Sequence, residues 1–123
     1  WLAPAGGDAR SALEDPHPLV RRAAIGAEAA RHPDAVAPIL DDANPVLRRA
    51  AALALAIGDR HDPWAAVVRD EGLRERCVAT LEAALRDRPD DAMAWYVLAQ
   101  LHGIAGREEA REKAMRHYNQ LAW

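Results

Sequence analysis

The side chains that could act as metal ligands or nucleophiles are few: five histidines, one cysteine, Ser11 and Thr80 in 123 residues. A metal centre needs ligands that converge, and His17, His32, His61, His102 and His117 fall in separate expected elements with no pair at i, i+3 or i+4. Cys77 stands alone, which excludes an internal disulfide and a Cys-x-x-Cys-His haem attachment run. Its apolar helical surroundings mark it as a small core residue. Ser11 has neither a base nor an orienting acid near it in sequence, so no nucleophilic arrangement can be written around it. The acidic pairs Asp41-Asp42, Asp90-Asp91 and Glu108-Glu109 lie at turns and helix starts, where carboxylates cap and favour the helix dipole. No strand pattern is present to carry a glycine-rich phosphate loop. The sequence therefore names no catalytic residue, no metal ligand and no cofactor, and an activity other than catalysis is expected.

Charge narrows the partners. The formal net charge is −3, and Lys113 is the only lysine. A mildly acidic chain with no basic and aromatic patch lacks the electrostatics that nucleic-acid affinity requires, so neither DNA nor RNA is expected as a partner. No apolar run reaches the length of a membrane span. The first residue is Trp1 rather than Met, which suggests a processed protein, an excised domain or part of something longer. The compartment is not legible.

The elements that position these residues are helical. Half of the residues are hydrophobic, alanine is abundant, Phe is absent and aromatics are only 5%, a composition suited to closely approaching helices. Residues 1–12 read as a lead-in, with Pro4 and Gly6-Gly7 disfavouring regular structure and Asp8 capping a short helix through Leu13. A helix is expected from Pro18 to about Arg31, with Leu19, Val20, Ala23, Ala24, Ala27 and Ala30 inward. Asp34 starts a short helix toward Leu40. Asn44-Pro45 starts another, with Val46, Leu47, Ala50, Ala51, Ala54 and Ile57 inward and Gly58 as its stop. Asp62-Pro63 is expected to start a helix through about Glu71, broken by Gly72 before a helix from Leu73 to Arg88. After the Pro89-Asp90-Asp91 turn come helices over about Ala92 to Ala105 and Arg107 to Leu121.

Two of these stretches repeat. Asp15-Pro-His-Pro-Leu-Val-Arg-Arg-Ala-Ala and Asp42-Ala-Asn-Pro-Val-Leu-Arg-Arg-Ala-Ala are offset by 27 residues. Self-similarity at a short fixed period marks a stacked array, because one helical pair cannot bury its apolar face alone.

The repeated units resemble HEAT-like repeats over about residues 13–57, on the strength of Asp15 followed six residues later by Arg21, and Asp42 by Arg48. That resemblance implies a structural ladder of Asp15, Arg21, Asp42 and Arg48, leaving Arg22 and Arg49 free to face solvent or a partner. About residues 80–121 resemble a tetratricopeptide repeat, carried by Ala84-Leu85, Pro89, Trp95, Leu98, Ala99 and Gly106. Here His102 stands where an aromatic is usual and the segment from Gly106 to Ala110 is one residue short. The implied fold is all-α, a short right-handed helical-repeat solenoid of one continuous domain, HEAT-like over 13–72 and tetratricopeptide-like over 73–123. A groove face is expected on Met93, Tyr96, Gln100 and Ile104, which share a stripe distinct from that of Trp95 and Leu98.

The resemblance implies a non-catalytic protein-interaction scaffold whose partner is another protein or an upstream domain of a longer chain. The succession of the two repeat types is also similar to the C-terminal tails of some bacterial multihaem c-type cytochromes. That alternative implies a non-haem tail or companion of an exported electron-transfer protein, and leaves open whether any histidine contacts a haem of another chain. A third resemblance is to the HEAT-like bilin lyases. Trp1 and Trp123 are expected to pack on the array ends or on a neighbouring copy, allowing end-to-end association.

Overall fold

Proline at the first helical position sets three helix starts in the computed structural model, which describes residues 12–59 and 61–122. Helix α1 (Pro18–Glu28) begins where the Leu19 N–H donates to His17 Nδ1 at 3.2 Å. Helix α2 (Pro33–Val36) runs into a 3-10 segment over Ala37–Asp41. Helix α3 (Pro45–Ile57) begins with the Val46 N–H donating to Asn44 Oδ1 at 2.9 Å and stops at Gly58, whose φ of +64° suits glycine. The His17 ring nitrogen and the Asn44 amide oxygen thus do the same capping work at equivalent repeat positions.

The next stretch departs from expectation. Asp62-Pro63 does not start a helix, because Pro63 pairs with Gly58 in an isolated antiparallel bridge and the Trp64 N–H donates to the Ile57 carbonyl at 3.1 Å. Trp64 takes φ +69°, a left-handed conformation that costs a bulky residue about 1–2 kcal/mol, and its side chain packs against the core. Helix α4 (Ala65–Arg69) follows, and the break comes at Asp70 rather than at Gly72. Asp70 is extended and its Oδ1 accepts from the Leu73 N–H at 3.0 Å, so helix α5 (Glu71–Asp87) carries Gly72 inside its first turn. Helix α6 (Ala92–Ile104) starts at the Asp91 cap, and Gly106 at φ +78° turns the chain into helix α7 (Glu108–Ala122).

The described residues are mostly helical and contain no strand, an all-α fold. Helix α3 packs against α1, the 3-10 segment, α5 and α6, while α6 also packs against α5 and α7. The core is built on Ile25, Val36, Leu47, Leu55, Val67, Cys77, Leu81, Val97 and Leu101. No described helix is long and apolar enough to cross a membrane.

Part of the inward face expected for α1 and for α3 lies outward. Leu19 is 68% and Val46 53% exposed, Ile57 is also exposed, and so are Ala23, Ala27 and Ala30. Ala24, Leu47 and Ala51 are buried as expected, Val20, Ala50 and Ala54 are partly buried against the core, and Ile25 and Glu28 on α1 and Ala52, Leu55 and Ala56 on α3 are buried as well. Leu19 and Val46 directly follow the N-terminal proline, at the rim of their helices. Arginines 21 and 48 both reach Asp42 from the first turns of these helices. Most of the 1–12 lead-in and the end residues Trp1 and Trp123 lie outside the described residues.

Candidate interaction surface

The arginine and aspartate positions of the repeat form a connected set. Asp15 and Asp42 each accept, at 2.8 Å, the N–H two residues on, from His17 and Asn44. Arg21 Nη1 crosses from α1 to Asp42 Oδ2 at 3.0 Å, and Arg48 Nη1 donates to the Asp42 carbonyl at 2.6 Å. Asp42 therefore joins the start of α1 to the start of α3.

The second arginines behave differently from one another. Arg22 is exposed, and no acid among the described residues pairs with it. Arg49, expected to be free for solvent or a partner, is engaged within the chain: Nε donates to Asp91 Oδ2 at 2.5 Å and Nη2 to Oδ1 at 3.0 Å. This bidentate pair spans 42 residues and also involves the α6 cap, since the Ala94 N–H donates to Asp91 Oδ1 at 3.3 Å. The Arg49 hydrogen bond holds the Asp91 carboxyl below its ordinary value, against the opposing effect of burial. The turn at Pro89-Asp90-Asp91 is a visible capping signal, but nothing local in it points to α3.

Helices α6 and α7 lie together, and two ring pairs fix their register. Trp95 stacks on His117 at 4.1 Å between centroids, with the planes 8° apart, and its indole N–H donates to the Pro89 carbonyl at 2.8 Å. Tyr96 meets Tyr118 at 5.3 Å in a tilted arrangement. Trp95 and His117 lie equally far on either side of Gly106, as in an antiparallel helical hairpin. Arg107 at its turn is ion-paired to Glu75 on α5.

On this frame the expected groove stripe divides. Met93 is 51% and Tyr96 37% exposed, whereas Gln100 and Ile104 are half-buried and Ile104 packs against the core. The opposite side of α6 carries Val97, Leu98 and Leu101 into the interior together with His102, which is only 7% exposed. Burial first, and then the neighbouring Arg107 charge, lower the His102 pKa. His102 is thus an imidazole inside the fold that is uncharged at neutral pH.

A larger cleft of about 870 Å³ lies between the Pro33–Asp41 region and the α4–α5 corner, lined by Asp34, Asp41, Arg69, Asp70 and Arg76 among others. Most of these charges are already engaged: Arg76 with Asp41 at 3.1 Å, Arg69 with Asp62 at 3.4 Å, and Asp70 with the start of α5. No group of three His, Cys, Asp or Glu residues among those described is placed to hold a metal ion. Burial pushes the Cys77 thiol up to about 12, so it is a thiol rather than a nucleophilic thiolate at neutral pH.

No family model matches the chain, and neither does any curated protein or solved structure.

Proposed function

We propose that this chain is a non-catalytic protein-interaction module: a short helical-repeat array, HEAT-like in its first units and tetratricopeptide-like in its last pair, that recognises another protein or a further part of a longer chain. The observation that carries the reading is the exposed pair Met93 and Tyr96 on a helix fixed on its other sides by α5, α7 and the Arg49–Asp91 link. A large apolar side chain beside an aromatic one, held on a rigid element, is the usual kind of anchor for a docked peptide or helix. Gln100 continues the stripe with a side chain able both to donate and to accept. Arg22 offers a separate exposed cation on α1. The repeated Asp15/Arg21 and Asp42/Arg48 positions act as scaffold in this reading, because their hydrogen bonds go to the chain itself.

The test is selection of binding peptides from a random displayed library on the full chain, followed by counter-screening on Met93→Asp and Tyr96→Ser. Met93 is half exposed and can be changed without opening the core, whereas Tyr96→Ser also removes the contact with Tyr118, so its result is read only with an unaltered far-UV spectrum and Tm. Enriched peptides that lose at least tenfold affinity for either variant are the expected result. Enriched peptides that bind both variants as well as the parent would place recognition elsewhere and refute this surface.

A further inference from the structure

Helices α5 and α7 both lean on α6 and leave between them a wedge of about 340 Å³. Each helix lines it with one stripe: Leu85 and Arg86 from α5, Trp95, Leu98 and His102 from α6, Ala110 and Lys113 from α7. The volume is at the small end of clefts that hold small molecules and too confined for a docked helix. Space exists because α7 presents alanines at 110 and 114 where larger side chains would close it.

The walls are preorganised. One face of the Trp95 ring is occupied by His117 and its N–H by the Pro89 carbonyl, so the indole does not need to be ordered on binding. His102 is fixed too: its Nδ1 lies 3.4 Å from Arg107 Nη1. A guanidinium only donates, so Nδ1 accepts and the ring proton belongs on Nε2, which no acceptor among the described residues takes. At the rim, Arg86 and Lys113 form no ion pair among the described residues; Glu82 is the one acid lining the wedge, and Glu109 and Glu112 border Lys113 on its other side. Two cations and an imidazole N–H against one carboxylate leave the wedge rich in donors above apolar walls.

We propose that this wedge is a binding site for a small, flat monocarboxylate, its apolar body against Trp95 and Leu98 and its carboxylate held between Arg86 and Lys113. The site is separate from the Met93–Tyr96 surface, since Trp95, Leu98 and His102 project from a different side of α6.

The experiment is titration of the full chain with 1-naphthoate, followed by amide chemical shifts, with 1-naphthamide as the uncharged compound of the same shape. Saturable binding that shifts residues of α5, α6 and α7 is expected, at least fivefold tighter for the acid than for the amide. Lys113→Glu, an exposed change, should weaken naphthoate about tenfold and leave naphthamide unaffected. Ala110→Leu should weaken both by filling the wedge. Equal affinity for acid and amide, shifts centred outside these helices, non-saturable binding, or unaltered naphthoate affinity in a folded Lys113→Glu variant would each overturn the proposal.

Discussion

Replacing Asp91 tests whether one side chain ties helices α3 and α6 together. Its carboxylate caps α6 through the Ala94 N–H and receives both hydrogen bonds from Arg49 of α3. Loss of an N-cap aspartate costs about 1 kcal/mol. The half-buried bidentate pair lies between exposed ion pairs, worth about 0.2–1 kcal/mol, and hydrogen bonds to charged groups, worth about 1.5–3 kcal/mol. We expect about 1.5 kcal/mol for the pair and about 2.5 kcal/mol for Asp91→Ala, a fall in Tm of roughly 8–12 °C for a domain of this size. Asp91→Asn keeps a capping oxygen and should lose only the pairing energy. The assay is urea unfolding of Asp91→Asn, Arg49→Met and the double variant. The pH dependence has a defined sign. Because the folded carboxyl is held below its ordinary value of 3.8, its stabilisation is present above that value and is lost as pH falls through the folded pKa. The gap between parent and Asp91→Asn should therefore close below about pH 4. A coupling energy under about 0.5 kcal/mol, or a gap that persists unchanged in acid, would refute the link.

Three further outcomes follow from buried groups. Glu28 is 4% exposed, its Oε2 accepts no hydrogen bond among the described residues and lies 3.8 Å from His32 Nε2, and the residue 27 positions on is the buried Leu55. Glu28→Leu should raise stability by about 1–2 kcal/mol in urea unfolding, and a lower midpoint would show the carboxylate to be engaged. Cys77, with its thiol pKa at about 12, should resist a disulfide reagent at pH 8 in the folded chain and react fully in denaturant, so stoichiometric labelling of the native protein would count against its burial. His102 has a folded pKa below its ordinary 6.5, so the unfolded chain binds more protons in the window between the two. Tm of the parent should drop more steeply from pH 7 to pH 5 than that of His102→Gln, and parallel slopes would refute the assignment.

Legibility in the sequence varied with the range of the interaction. The starts at Pro18 and Pro45, the Asn44 cap and the stop at Gly58 were readable, because capping and proline geometry involve neighbours within a few residues, whereas the short helix expected to start at Asp34 begins at Pro33. The break at Asp70 was misplaced onto Gly72, since a cap that bonds into its helix outweighs a glycine tolerated in the first turn. Trp64 carries no sequence sign of its left-handed backbone, which the Gly58–Pro63 bridge imposes. Of the candidate surface, the exposure of Met93 was not derivable from the stripe alone, which also contains the half-buried Ile104.

What the sequence by itself determined, then, was the all-α class, most helix boundaries and the 27-residue repeat, because these follow from backbone chemistry and local periodicity. Tertiary structure alone decided which faces turn inward and which charges meet. Leu19 and Val46 point out at the first turns of α1 and α3, and Arg49 finds Asp91 across 42 residues because α3 packs against α6. His102 became a buried neutral imidazole by the same route, through the enclosure made by neighbouring helices and Arg107. Burial and long-range pairing depend on how helices stack, and a one-dimensional pattern carries only the period of that stacking, not its rotation.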